Sequence, residues 1–328
     1  MNVTPERIFQ SLLAFQQSAA LKGAIDLDLF TAIAEGVTTV PALAARCAAS
    51  EKGMRVLCDY LTIAGFLTKA GGAYGLSPDA AAFLDKNQRT YLGSVATFLG
   101  HPFHRDAAAD VAKTVRTGTS ILDAHRFFDI ENEAWVAFAK GMMPMMMPAA
   151  QYMAGVVDAP KRVLDMAAGH GIFGIMTAVQ HQSAVIDALD WPGVLAVARE
   201  NAAKFGAADR WNAIEGSAFE TPLTQQYDAI YVTNFFHHFD PPTCVKLMKQ
   251  WRAALAPGGV MLTLEFIPNA DRVTPPTSAA FSMTMLLNTP SGDAYTFAEF
   301  ESMLTEAGFS SNEFRQVPHA PQQLIVSK

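Results

Sequence analysis

Residues 163–174 read Val163-Leu164-Asp165-Met166-Ala167-Ala168-Gly169-His170-Gly171-Ile172-Phe173-Gly174, and this stretch decides the fold. The pattern predicts a buried strand over 162–167, a glycine turn, and a helix over 171–180. Glycine at 169 and 171 lets the backbone approach a ligand closely, and the start of the helix favours negative charge. Asp190 stands at the end of the next predicted strand, 21 residues after Gly169, where a carboxylate can hold a pair of ribose hydroxyls. Gly169, Gly171 and Gly174 also satisfy G-x-G-x-x-G, so spacing alone leaves a nicotinamide dinucleotide open.

Working outward, strands and helices alternate from residue 161 to the end. Further strands are expected over 184–189, 211–215, 228–233 and 260–266, with helices over 193–205, 242–255 and 296–307. Alternation of this kind gives an α/β fold, a parallel sheet with helices on both faces. The last two strands, 312–317 and 323–326, are too close for a helical crossover and are expected to form an antiparallel hairpin.

The first hundred residues read differently. Thr4-Pro5-Glu6 is a helix start, followed by Ile8, Phe9, Leu12, Leu13 and Leu21 at mostly helical spacing. Thr39 is expected to cap a helix over 41–47, and Ser50 a second over 51–64 that ends at Gly65. Gly71-Gly72 between two short apolar runs signals a hairpin. Helix, turn, helix and hairpin make a mainly helical, winged-helix unit. It carries eight Lys or Arg and eight Asp or Glu, a balance that disfavours DNA and points to packing and dimerisation. Between the two parts, helices are expected over 106–117 and 131–157, the latter broken at Pro144 and Pro148. Its methionines, Met142, Met143, Met145, Met146 and Met147, read as core filler or as an adaptable wall for an apolar ligand. The expected domains are 1–100 for dimerisation, 101–160 as connecting helices beside the substrate, and 161–328 as the catalytic domain.

Composition narrows the function. The chain has 328 residues, half of them hydrophobic, with 24 basic against 31 acidic side chains and a formal charge of −7. Such a chain buries a sizeable core, and its acidity with no basic run argues against a nucleic-acid partner. Three cysteines make no disulfide framework and fit no zinc spacing, so a reducing, cytoplasmic setting is expected. No apolar run reaches membrane-spanning length, and the N-terminus lacks signal-peptide character.

Downstream of the glycine turn come Asn234-Phe235-Phe236-His237-His238-Phe239-Asp240, then Leu255-Ala256-Pro257-Gly258-Gly259, then a strand ending at Glu265. In motif order and spacing the whole chain resembles the small-molecule O-methyltransferases of plants and bacteria. These are class I enzymes with a Rossmann-like sheet that use S-adenosylmethionine and carry an N-terminal winged-helix dimerisation domain. The resemblance implies a homodimer acting on a small, hydroxylated, aromatic acceptor. It implies that Gly169 and Gly171 shape the cofactor loop, with Ala167 and Ala168 where the family has glycines. Asp190 then binds ribose, and Ser217 and Phe219 flank adenine, Ser217 standing where the family has an acid. Asp165, Trp191 and Asn234 are grouped with these cofactor residues. His237 matches the catalytic histidine and Glu265 its supporting carboxylate. The family's second glutamate falls on Ala294, so either Asp293 replaces it or His237 has a single carboxylate partner. His101, His104, Phe138, Met142, Met143 and Met146 are the candidate substrate contacts.

The chemistry of the pair follows without the resemblance. Both His237 and Glu265 fall at carboxyl ends of parallel strands, where open α/β sheets place ligands. A phenol titrates near 10, whereas histidine, near 6.5, can take its proton as the oxygen becomes bonded. A carboxylate on the other ring nitrogen fixes the tautomer and favours the imidazolium. No metal is expected at His237 and His238, since adjacent histidines point apart. Nitrogen or carbon methylation, nicotinamide-dependent oxidoreduction and a winged-helix regulatory role are the rival readings.

Overall fold

The computed structural model describes residues 3–122 and 133–328 and divides into two compact units, Met1–His101 and Pro102–Lys328. The expected start of the 131–157 helix lies outside the described residues.

The first unit is built on α1 (Glu6–Asp26), α2 (Leu29–Ala34), α3 (Val40–Arg46) and α4 (Glu51–Ile63), then the hairpin β1 (Leu67–Ala70) and β2 (Ala73–Leu76), then α5 (Pro78–Phe83) and α6 (Val95–Leu99). Ser50 caps α4 by accepting from the Gly53 amide at 3.1 Å, an interaction of about 1 kcal/mol. At the first helix Pro5, not Thr4, is the capping residue, and no side chain caps it. Gly71 and Gly72 both adopt positive φ, at 56° and 82°, as a two-residue turn between twisted strands requires. Phe30, Leu43, Met54, Leu61 and Tyr74 fill the core. The N-terminal part of α1, through residue 19, is unburied on every side, and Ile8, Phe9, Leu12 and Phe15 are each 60% exposed or more.

The second unit opens with α7 (Pro102–Ala107) and α8 (Val111–Thr117). The sequence suggests one helix here; Asp110 splits it by leaving helical geometry and capping α8 through the Lys113 amide at 2.9 Å. The methionine-rich segment forms α9 (Glu133–Gly141) and α10 (Met143–Ala154). The break falls at Met142, with Pro144 in the first turn of α10, where a missing N–H costs nothing. Pro148 lies inside α10 without ending it, contrary to the sequence expectation.

The sheet comprises β3 (Arg162–Met166), β4 (Val185–Asp190), β5 (Trp211–Glu215), β6 (Tyr227–Thr233), β7 (Leu255–Glu265), β8 (Asn312–Gln316) and β9 (Gln323–Ser327). Interleaved are α11 (Ile172–Gln180), α12 (Pro192–Lys204), α13 (Pro241–Arg252), α14 (Pro276–Asn288) and α15 (Phe297–Glu306). The strand order is β5-β4-β3-β6-β7-β9-β8, parallel as far as β7 and antiparallel at β9 and β8. Pairing of β7 begins earlier than the apolar pattern suggests: Leu255 pairs Tyr227, Ala256-Pro257-Gly258-Gly259 bulge outward, and the ladder resumes at Ala229 and Val260. Trp251, Phe236, Phe300 and Tyr227 anchor the core on one face of the sheet. On α11 Gly174 is a packing residue, because a Cβ there would meet the Ile186 side chain at 2.5 Å. Among the described residues, no helix is long and apolar enough to cross a membrane.

Candidate active site

The chain leaves β3 for β4 and β5 on one side, then returns to β6 and β7 on the other. The carboxyl ends of β3 and β6 therefore flank a topological switch point, where such sheets open a ligand crevice. The glycine turn lines one wall. Ala167, Gly169 and Gly171 have φ of 51°, 57° and 72°. Ala167 holds the left-handed conformation despite its Cβ, a cost of about 1–2 kcal/mol. At Gly169 an added Cβ would meet Phe138 at 3.3 Å, so this side chain of α9 lies against the turn.

Two carboxylates brace that wall. Asp190 accepts from the Gly169 amide at 2.8 Å and the Trp191 amide at 2.7 Å, one with each oxygen. Burial pushes it up to about 6. Asp165 is fully buried, and one oxygen accepts from the Gly174 amide at 2.9 Å. Its other oxygen has no partner, and burial pushes it up to about 7, with the Asp190 charge adding to the shift. Asp165 thus lies beneath the first turn of α11 and supports the loop from below. His170 is the residue of this wall that motif reading passed over. Its ring stacks on Phe138 with centroids 5.8 Å apart and accepts from the Ile172 amide at 3.3 Å. Burial holds it down at about 3, so it is neutral.

Further along, the Gly216 amide donates to the Asp190 carbonyl at 3.1 Å, which brings the end of β5 beside the end of β4. The Ser217 hydroxyl accepts from the Phe219 amide at 3.2 Å, and Phe219 packs edge-on against Phe239. Trp191, the N-cap residue of α12, meets Trp135 of α9 with ring centroids 6.4 Å apart.

The opposite wall is made of side chains. A short turn, Phe236–His238, follows β6, and His237 within it is 4% exposed. Its Nδ1 lies 2.5 Å from Glu265 Oε2. The other oxygen of Glu265 accepts from the amides of Phe235 and Phe236 at 2.9 and 2.8 Å. Every Glu265 contact is thus an acceptor contact, so Nδ1 carries the hydrogen and Nε2 is left with its lone pair. Phe281 of α14 packs edge-on to His237, 4.9 Å between centroids, and stacks on Phe266. His238, whose ring lies 4.2 Å from that of His237, is held neutral by burial and by its neighbour.

Asp293 does not join this pair. Its carboxylate is 3.2 Å from Arg272 and caps the Ala294 amide, at a surface position where a long cation reaches it from solvent. Ala294 itself is fully buried. Among the described residues Glu265 is the carboxylate that His237 meets.

Asn234, the residue after β6, is in the left-handed region, φ 52°. Its side-chain amide reaches the Met146 sulfur at 3.8 Å. Met142 and Met146 are buried, and Met143 is half-buried. His104 of α7 lies 3.2 Å from the Asn288 side chain at the end of α14, a partner no motif marked, although Phe281, Met285 and Asn288 recur at helical spacing. His101 belongs to the first unit, where its amide donates to the Phe98 carbonyl at 2.9 Å.

Comparison with known proteins identifies the arrangement. A model of the O-methyltransferase domain matches residues 153–310, and one of the O-methyltransferase dimerisation domain matches residues 9–86. The chain belongs to the O-methyltransferase family. The crystal structure of a candidate O-methyltransferase from Nostoc punctiforme is 44% identical, covers all of this chain and 99% of that one, and superposes with a TM-score of 0.95. The 3-hydroxy-5-methyl-1-naphthoate 3-O-methyltransferase of Streptomyces sahachiroi is 28% identical over 90% of this chain and 86% of its own length. Human N-acetylserotonin methyltransferase, solved with S-adenosylmethionine, shares the fold at 21% identity, with a TM-score of 0.87 over all of this chain and 98% of that one. This O-methyltransferase uses S-adenosylmethionine, and the dinucleotide left open by G-x-G-x-x-G gives way to it. The residues present suit that cofactor: a positive-φ turn whose glycines carry no side chain of their own, and an acid at the end of β4.

Proposed function

We propose that this O-methyltransferase methylates a phenolic hydroxyl on a small, largely apolar aromatic compound, with His237 as general base and Glu265 as its orienting partner. The observation that carries the reading is the buried 2.5 Å contact between His237 Nδ1 and Glu265 Oε2. S-adenosylmethionine supplies a methyl group on a cationic sulfur. His237 Nε2 takes the hydroxyl proton as the oxygen gains the methyl, and Glu265 favours the imidazolium so formed. The cost of this step is kept low because the ring is already fixed by the carboxylate and by Phe281. Relatives named for a hydroxynaphthoate, for acetylserotonin and for tetracenomycin support an aromatic acceptor.

Gly169, Gly171 and Asp190 receive the methionine and ribose portions of the cofactor in this reading, with Trp191, Ser217 and Phe219 toward the adenine and Asn234 toward the methyl. Phe138, His104, Met142, Met143 and Met146 are its acceptor contacts, and thioethers suit an apolar ring because they adapt to its shape. His101 is carried as a further substrate contact on the resemblance alone. The exposed apolar face of α1, within the matched dimerisation domain, supports a homodimer. Cys47, Cys58 and Cys244 are buried and unpaired, which supports a reducing, cytoplasmic compartment.

The test is His237→Ala with a panel of phenolic acceptors. Turnover is expected to fall by about 10²-fold or more while the Kd for S-adenosylhomocysteine stays within about threefold. A loss below tenfold refutes base catalysis and points to a nitrogen or carbon acceptor.

A further inference from the structure

The loop joining α14 to α15 carries Asp293, whose carboxylate goes outward to Arg272. Two neighbours of Asp293 go the other way, onto the turn that holds His237. An added Cβ at Gly292 would overlap the carbonyl oxygen of His237 itself and stand 2.9 Å from the carbonyl carbon of His238. Three residues on, the Tyr295 hydroxyl donates to the Phe239 carbonyl at 2.5 Å, across 56 residues of chain. The loop therefore meets the turn at two points, one on the residue of the base and one just past it.

Both partners in this contact are held from behind. Thr289, buried at the end of α14, donates from its hydroxyl to the Met285 carbonyl at 2.8 Å and accepts from the Gly292 amide at 2.9 Å. The Thr119 hydroxyl donates to the Pro290 carbonyl at 2.9 Å, and the Ser120 amide to the Thr289 carbonyl at 3.3 Å. Tyr295 is buried, and its ring packs edge-on against Phe300 of α15. On the other side, Glu265 accepts from the amides of Phe235 and Phe236, and the Cys244 thiol of α13 lies 3.3 Å from the Phe236 carbonyl. The carbonyls at 236, 237 and 239 thus meet Cys244, Gly292 and Tyr295. At Gly292 main chain lies against main chain, with no flexible side chain to yield, so a methyl group there has to displace one segment or the other.

We propose that Gly292 and Tyr295 are positioning residues for the base: their loop seats on the main chain of 237–239 and sets where the His237 ring stands between Glu265 and the acceptor. Glu265 holds the ring at Nδ1. The loop holds the other end of the same residue, its carbonyl, and so fixes the origin from which the side chain projects. A base fixed at both ends needs no rearrangement to reach the acceptor oxygen, and a misplacement of about 1 Å is enough to cost about 10²-fold in rate. Tyr295 and Gly292 touch no reacting atom in this reading; they act through His237.

The inference rests on His237 as the base, and the experiment separates the two. Turnover of the phenolic panel is measured for the parent, Gly292→Ala, His237→Ala and the double variant, well below the Tm of each. Gly292→Ala is expected to lower turnover about 10²-fold, with the Kd for S-adenosylhomocysteine within about threefold, and to cost nothing further once His237 is gone. Tyr295→Phe keeps the ring and removes the hydroxyl; it is expected to lower turnover about three- to tenfold, and this arm stands even if the alanine variant fails to fold. A readout free of acceptor is the far-downfield proton resonance of His237 Nδ1, assigned by its absence in His237→Ala, which is expected to move upfield in both loop variants as the contact with Glu265 loosens. A lower Tm with turnover and resonance unchanged means that the loop serves the fold alone and overturns the proposal. So does an equal loss from Gly292→Ala with and without His237. A loss below tenfold in His237→Ala by itself removes the base, and the proposal with it.

Discussion

The two walls of the crevice are built in different ways. The wall at β3 and β4 is main chain. Its turn has positive-φ residues at 167, 169 and 171, and Asp165 and Asp190 point their oxygens at amides of Gly174, Gly169 and Trp191. The wall at β6 and β7 is side chain, where His237, Glu265, Asn234, Met146 and Gln322 meet across separations of 28 to 176 residues. A main-chain wall holds a ligand common to a family, because any sequence that makes the turn makes the site. A side-chain wall carries the chemistry and can change one residue at a time. Damage to the first is expected to appear in stability and cofactor affinity, and damage to the second in turnover.

Glu265→Gln gives the sharpest contrast. The amide oxygen can still accept from Phe235 and Phe236, so the turn after β6 keeps its support. The amide nitrogen then faces His237 Nδ1, which has to accept, and the hydrogen moves to Nε2. The base loses its lone pair toward the acceptor. Turnover is expected to fall by about 10²-fold or more, with S-adenosylhomocysteine affinity within about threefold of the parent. If calorimetry shows affinity falling as far as turnover, the two walls are not separable.

Gly171→Ala attacks the other wall. Its Cβ would meet the Ala198 Cβ at 2.9 Å and Ile175 at 3.2 Å, at a φ of 72°. Overpacking and left-handed strain together are expected to cost about 1–3 kcal/mol in denaturant unfolding. At Gly169 the nearest atom to a Cβ would be on Phe138, at 3.3 Å, so Gly169→Ala is expected to lose less stability. Both variants are expected to bind S-adenosylhomocysteine more weakly. Equal unfolding midpoints for the two would remove the distinction between a packed and an open position in the turn.

The same contrast explains what the sequence could tell. The turn, the alternating strands, the closing hairpin and the 28-residue spacing from His237 to Glu265 are local or periodic, and each was legible. The break at Asp110 was not, because a single capping carboxylate inside an apolar run looks like a surface residue of one helix. Asp293 looked like a substitute carboxylate because of its place in the motif; only the fold brings Arg272 to it from 21 residues away. Gln322 gave no signal at all, since a glutamine in the turn before a strand is ordinary until burial and two distant partners make it otherwise.

The smallest expected effect is also the one that separates support from binding within the main-chain wall. Burial raises Asp165 to about 7 from an ordinary 3.8, so the folded protein binds this proton more tightly than the unfolded chain. The stability it contributes is therefore fully present below about pH 4 and is lost as pH rises through about 7. Asp190, raised to about 6, acts in the same direction over a lower range. Asp165→Asn keeps an acceptor for the Gly174 amide and cannot ionise. Between pH 5.5 and pH 8 the cofactor-free parent is expected to lose about 2 kcal/mol more than this variant, or about 4–8 °C in Tm. Melting curves that stay parallel across that range would mean that Asp165 is already solvated or paired, and that the loop does not rest on a buried proton. Because Asp165 lies under the turn, the variant is also expected to keep S-adenosylhomocysteine affinity within about threefold at pH 8, which Asp190→Asn, at the open end of β4, is not.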